Sequence, residues 1–249
     1  MNSNILLADM GNSRVKFKFD DTIKALDYHS DELIDFLDKV LESEIRLFYF
    51  SSVNREAEKY ITERLNPKFS LVQNIKSLID VNTPVDFSKI KGIGMDRMLS
   101  LLAVHKVTDS PIVTIDCGTA VTVNLLDELN VCLGGVIFPG FYTQSKALHN
   151  YTSNLPLIEE PSNKGYFGEN TEDAIRYGIL NSIVGGIKAT IDHSSFSSVP
   201  NIFVTGGYGE LIKDHLLYYY PNIVYDEDLV LKGIEKSIRR TTNELSIKK

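Results

Sequence analysis

The chain has 249 residues, 43% of them hydrophobic and 24% charged, the balance of a globular protein and not of a disordered one. Its 33 acidic and 26 basic residues give a net charge of −7, and no basic block or arginine-rich arm stands out, which argues against a nucleic-acid partner. Two cysteines, Cys117 and Cys132, make neither a disulfide framework nor a zinc site, and no stretch approaches the roughly 20 apolar residues of a membrane helix. No basic segment leading into a long apolar run opens the sequence, so the expectation is a cytoplasmic protein with no membrane partner.

Residues 5–19 read as a strand hairpin: an apolar run breaks at Asp9-Met10-Gly11-Asn12-Ser13 and resumes with Val15, Phe17 and Phe19 alternating with Lys16 and Lys18. Leu33, Ile34, Leu37, Val40 and Leu41 have the spacing of a helix over 31–41, with acids in its first turn. A strand is expected over 46–53 and a helix over 55–65, stopped by Asn66-Pro67. Gly92–Lys106 is a glycine-rich entry to an apolar helix, and Ser110-Pro111 reads as a boundary between two domains, 1–110 and 111–249. The second begins with strands over 112–115, 121–126 and 131–137, a Pro139-Gly140 turn and a helix over 141–150. After an irregular stretch, a long helix spans 171–192, a strand 201–205 and a helix 210–219, and a last helix starts near Val230. The run Tyr218–Tyr220 reads as packing, and the histidines show no ligand spacing.

Asp116-Cys117-Gly118-Thr119 repeats Asp9-Met10-Gly11-Asn12: each follows an apolar strand and precedes an alternating one. Glycine lets the backbone come close to a ligand, and the turn offers N–H groups and small polar side chains (Asn12, Ser13, Thr119) to phosphate oxygens. The aspartates cannot bind phosphate directly and act through a cation or a water. Lys16 brings positive charge to the same place, against the plainer reading of a solvated strand face. NIFVTGGYG, Asn201–Gly209, runs a strand into a helix through Gly206-Gly207, where bare backbone leaves room for an adenine or ribose, or makes an ordinary turn. Gly94-Met95-Asp96-Arg97 opens a helix, where an acid and an arginine serve as cap and ion pair or as a base for a substrate hydroxyl and a fork for a substrate carboxylate. Asn170-Thr171-Glu172-Asp173 is a good helix start, so Thr171 has a capping reading too.

Taken in order, Asp-x-Gly-Asn-Ser-x-x-Lys, Gly-x-Asp-Arg, Asp-x-Gly-Thr-Ala-x-Thr and the Thr-Gly-Gly strand end resemble type III pantothenate kinase, over nearly the whole chain. The resemblance implies an α/β fold of duplicated ribonuclease H-like lobes, as in the acetate kinase, sugar kinase, Hsp70 and actin superfamily, with ATP between them. It implies transfer of the ATP γ-phosphoryl group to pantothenate, the first step of coenzyme A synthesis. Asp9, Met10, Gly11, Asn12, Ser13, Arg14, Val15 and Lys16 would form the first phosphate loop, with Thr119, Gly206 and Gly207 also on ATP. Asp96 would be the proton acceptor, and Gly94, Met95, Asp96 and Arg97 would contact pantothenate. Phe87 stands where the family usually has tyrosine, and Thr171 would reach pantothenate across a homodimer interface. Asp116 would hold a monovalent cation, potassium or ammonium, with Mg2+ accompanying ATP; Asn124 stands where the family usually has aspartate. Two other readings stand beside this one: a catalytically weak nucleotide-binding relative with a regulatory role, and a superfamily kinase for another hydroxyl substrate.

Overall fold

The computed structural model describes residues 4–79, 83–107, 111–162, 165–194, 196 and 198–247; Ser110, at the expected boundary, lies outside them. In chain order the elements are β1 (Ile5–Met10), β2 (Arg14–Phe19), β3 (Thr22–Asp27), α1 (Asp31–Glu42), β4 (Leu47–Ser52), α2 (Arg55–Leu65), β5 (Leu71–Asn74) and α3 (Met95–Val104). There follow β6 (Ile112–Cys117), β7 (Ala120–Leu126), β8 (Cys132–Pro139), α4 (Phe141–Tyr151), α5 (Thr171–Asp192), β9 (Asn201–Thr205), α6 (Gly209–Leu216), β10 (Ile223–Tyr225) and α7 (Leu229–Ile247). They fall into two compact units: Met1–Val85 with Lys91–Val104 and Asp228–Lys249, and Asp86–Ile90 with His105–Glu227.

Each unit is built on a five-stranded sheet, ordered β3-β2-β1-β4-β5 in the first and β8-β7-β6-β9-β10 in the second. In both, the first three strands in sequence form an antiparallel meander and the last two add parallel to the opening strand. The two orders are one topology used twice, the duplicated unit expected from the repeated Asp-x-Gly turns and the ribonuclease H-like lobe implied by the resemblance. Strands β3, β5 and β10 were not among the expected elements. β3 buries only Leu26, and β5 and β10 have four and three residues, so none shows a usable period. Helix α6 ends at Leu216, short of the expected 219. Of the tyrosines that follow, Tyr220 is buried and donates to the Asp192 carboxylate at 2.7 Å, Lys188 lies 5.1 Å from the Tyr219 ring centre, and Tyr218 is exposed.

In the first unit, alternation along β1 sorts residues to two faces. Leu6, Ala8 and Met10 join Val15, Phe17, Phe48 and Phe50 under α1 and α2, which contribute Leu33, Leu37, Ile61 and Leu65. Each of these side chains larger than Ala8 contributes about 1.5–3 kcal/mol on leaving water. Leu7 faces the other way, into a cluster with Leu99 of α3 and Val230, Leu231 and Ile234 of α7. Helices α3 and α7 touch backbone to backbone there, since a Cβ at Gly233 would fall on the Leu99 carbonyl. Lys18 of β2 anchors α7 through Glu235 at 2.8 Å and Asp228 at 3.4 Å. Burial alone would lower the Lys18 pKa; the Glu235 and Asp228 carboxylates outweigh it and raise it.

The second unit buries Val113, Ile115 and Cys117 of β6 and Val121 and Val123 of β7 against Ile179, Ile183 and Ile187 of α5 and Ile212 of α6. The opposite face of the same strands is different in kind. Thr114, Thr122, Asn124 and Thr205 are all buried there, in line with Asp116. A buried polar sheet face is unusual, because each such group needs a partner.

Candidate active site

The first hairpin turn is held by its own backbone. Gly11 N–H donates to the Arg14 carbonyl at 3.1 Å, and the Tyr28 hydroxyl donates to the Gly11 carbonyl at 2.8 Å. Burial, and then the negative charge of Asp9, push the Tyr28 phenol well above its ordinary pKa of 10.0, so it stays a donor. Asn12, Ser13 and Arg14 are exposed. Met10 and Val15 are wholly buried in the core and face away from Asp9, so they offer a ligand only backbone. Asp9 sits in register with Lys16 on β2 and with Ser51 on β4, making a row of three polar residues across neighbouring strands.

By alternation that row lies on the same sheet face as Leu7, the face on which α3 packs. Helix α3 opens with Met95, whose side chain joins the Leu7 cluster, and carries Asp96 and Arg97 in its first turn. The Gly94 carbonyl accepts the first helical bond, from Met98 N–H at 3.1 Å. A Cβ at Gly94 would collide with the Asp96 carboxylate and crowd Arg97, so the glycine leaves room for both side chains to fold over it. Asp96 is half-buried in the first turn of the helix. Asp9 and Lys16 therefore share the sheet face on which α3, the helix that opens with Met95, Asp96 and Arg97, packs.

The second unit repeats the arrangement. Gly118 N–H closes the turn on the Ala120 carbonyl at 3.1 Å, and Asp116 stands in register with Thr122 on β7 and Thr205 on β9. Thr119 is exposed at the turn, and its carbonyl accepts from Gly140 N–H at 2.9 Å and the Thr143 hydroxyl at 2.6 Å. Gly206 has φ +93, and a Cβ there would lie 2.5 Å from Asp116 Oδ1 and 2.6 Å from Cys117 N and O. Its bare Cα is taken up by the protein's own aspartate and strand end; Gly207, next in the turn, is exposed. Asn124 donates to the Thr114 hydroxyl at 3.4 Å, two residue pairs along the ladder from Asp116 and Thr122 and on the same face.

Phe87 and Thr171 stand on other elements of this unit. Phe87 is half-buried beside Asp86, whose backbone is tied to the β7–β8 turn by Asp86 N–H to the Asn130 carbonyl at 2.8 Å and Cys132 N–H to the Asp86 carbonyl at 2.9 Å. The cap of α5 is made by Asn170, which accepts from Asp173 N–H at 2.9 Å; Thr171 is the first helical residue and is exposed. Sequence reasoning missed two supports of the turns. Tyr28 follows a strand with little periodicity, and Gly140 is legible only as a Pro-Gly turn, not as the N-cap of α4 pressed against Gly118.

The model of the type III pantothenate kinase family matches residues 5–193. The chain belongs to that family. A type III pantothenate kinase of Thermosipho africanus is 33% identical over 252 residues, covering 92% of this chain and 96% of the relative. Among solved structures, a Campylobacter jejuni protein assigned to the Baf family of transcriptional activators has TM-score 0.64 and 24% identity, covering 96% of this chain and 99% of its own. A Sinorhizobium meliloti protein assigned as a 2-dehydro-3-deoxygalactonokinase has TM-score 0.62 and 10% identity, covering 95% and 99%. Both share the fold. Among the described residues, no helix is long and apolar enough to cross a membrane.

Proposed function

We propose that this member of the type III pantothenate kinase family transfers the γ-phosphoryl group of ATP to the hydroxyl of pantothenate, giving 4′-phosphopantothenate for coenzyme A synthesis. The observation that carries the residue assignment is the shared face of Asp9, Lys16 and the α3 N-terminus in the first unit. There the turn from Asp9 to Lys16 cradles the nucleotide phosphates, with backbone N–H groups and the Lys16 ammonium as the donors. Asp96 takes the proton of the attacking hydroxyl, and the planar fork of Arg97 holds the substrate carboxylate. Gly94 and Met95 supply backbone beside them, and Phe87 packs on pantothenate.

Asp9 offers a single carboxylate, which suits Mg2+: that ion keeps several waters and takes its other ligands from phosphate oxygens. When bound with ATP it supplies neutralising charge on the phosphates. Asp116 suits a monovalent cation such as potassium or ammonium, since one carboxylate is set among the neutral hydroxyls of Thr122 and Thr205 and close to the Cys117 carbonyl. Thr119, Gly206 and Gly207, at the ends of neighbouring strands, complete the ATP contacts. The sequence repeats on either side of residue 110 are the duplicated lobes, with Asp228–Lys249 at the end of the chain belonging to the first unit and not to the second, and the protein works in the cytoplasm. ADP release should depend on pantothenate and run several-fold faster in potassium than in sodium. ATP binding with no response to pantothenate would sink the kinase assignment, and equal rates in the two salts would remove the cation role from Asp116.

The proposed unit is a homodimer, with Thr171 serving the partner's pantothenate. Two surfaces support this. The outer face of α5 carries Ala174, Gly178, Gly185 and Ala189, and a Cβ at Gly178 or Gly185 would meet nothing within 4 Å. Edge strand β8 exposes Leu133, Val136 and Ile137. Sedimentation at assay concentration should give twice the mass of the chain; a fully active monomer would exclude the shared site.

A further inference from the structure

We propose that Ser51 is a positioning residue for Asp9, a role that rests on the reading of the Asp9–Lys16 turn as the nucleotide loop. Strand β4 runs parallel to β1 with Ser51 opposite Asp9, so the two side chains are neighbours on one sheet face. Ser51 is 0% exposed, and its Oγ has no hydrogen-bond partner among the described residues. A hydroxyl shut away from water and left unpaired opposes folding, and alanine would fill the same place without that cost. Its place near the C-terminal end of the strand, beside the aspartate, points to a hydrogen bond that forms when a ligand sets the aspartate side chain.

The second unit supplies an independent observation. By topology β9 corresponds to β4 and β6 to β1, and in the second unit Thr205, 3% exposed, stands in register with Asp116. The other flank has diverged, with Lys16 beside Asp9 and Thr122 beside Asp116. The duplication thus keeps a buried hydroxyl on the same side of each strand-end aspartate while the opposite neighbour changes from a cation to a second hydroxyl. In the nucleotide-loaded protein the Ser51 hydroxyl donates to one oxygen of the Asp9 carboxylate. That would fix the rotamer of Asp9, the residue that would hold the magnesium that accompanies ATP and supplies neutralising charge on its phosphates.

The test compares Ser51→Ala and Ser51→Thr with the unaltered protein in thermal unfolding without ligand, in Mg2+-ATP titration calorimetry and in steady-state turnover. Ser51→Ala should melt no lower than the unaltered protein, bind Mg2+-ATP about tenfold more weakly and need more Mg2+ for half-maximal rate, with the KM for pantothenate unchanged. Ser51→Thr, which restores the residue type of the second unit, should recover most of the affinity. Mg2+-ATP affinity and Mg2+ requirement that stay unchanged in Ser51→Ala, with or without a lower melting point, would overturn the proposal. If the unaltered protein binds Mg2+-ATP but ignores pantothenate, the kinase assignment fails and the calorimetric comparison still decides Ser51. Absence of Mg2+-ATP binding in the unaltered protein would overturn both.

Discussion

Replacing Asp96 with asparagine should leave Mg2+-ATP binding within about twofold and cut phosphoryl transfer to pantothenate by roughly 10²- to 10⁴-fold, the usual worth of a positioned general base. The geometry separates these two effects. Asp96 is in the first turn of α3, whereas the phosphate turn is closed by Gly11, Arg14 and Tyr28 on other elements. Asparagine keeps the size of the side chain that folds over Gly94, and the lost charge at the helix N-terminus costs only about 0.3–1 kcal/mol. The fold should therefore survive while the proton acceptor is gone, and kcat should fall with little change in the KM for ATP. Unchanged turnover would take the base role from Asp96. A parallel loss of nucleotide affinity would instead place it among the phosphate contacts.

Much of this site was legible in the sequence because its signals are local. A strand, an Asp-x-Gly break and an alternating strand occupy about a dozen consecutive residues, and the second copy confirms the pattern. Helix α5 was bounded correctly over 171–192 because Asn170 is a strong cap and the isoleucines Ile175, Ile179, Ile183 and Ile187 recur every fourth residue. What was not legible depends on partners distant in the chain. The packing of α7 against α3 turns on Gly233 meeting the backbone of Leu99, and Lys18 finds Asp228 and Glu235 more than 200 residues away. Nothing near Lys18 marks it as half-buried; the alternation predicts only a solvated strand face, and the carboxylates of Asp228 and Glu235 make the partial burial tolerable. Ser51 was hidden in the same way. It reads as one of several small polar residues at a strand end, and only the parallel register sets it beside Asp9.

Glycines of the two turn motifs look alike in sequence, yet the structure ranks them differently, and Gly206→Ala should be the most damaging substitution of the set. A Cβ at Gly206 would meet Asp116 Oδ1 at 2.5 Å and the backbone N and O of Cys117 at 2.6 Å. The carboxylate could swing aside, but the Cys117 backbone is fixed by the β6–β7 ladder, where it stands opposite Val121, and by Tyr208 N–H donating to its carbonyl at 3.1 Å. The residue also has φ +93, a conformation that alanine adopts only with strain. Strain of about 1–2 kcal/mol and overpacking of about 1–3 kcal/mol add to a loss of roughly 2–5 kcal/mol. Any relief must come from moving Asp116, so the proposed cation and nucleotide contacts should weaken together with stability. Gly118→Ala is the internal control: its Cβ would have nothing nearer than 3.8 Å, in ordinary contact with the Ala120 carbonyl and Asp116 Oδ1. Thermal unfolding should show a drop of several degrees for Gly206→Ala and little change for Gly118→Ala. Equal melting points for the two variants would mean that the turn after β9 yields readily, and that Gly206 owes its place to the ligand and not to Asp116.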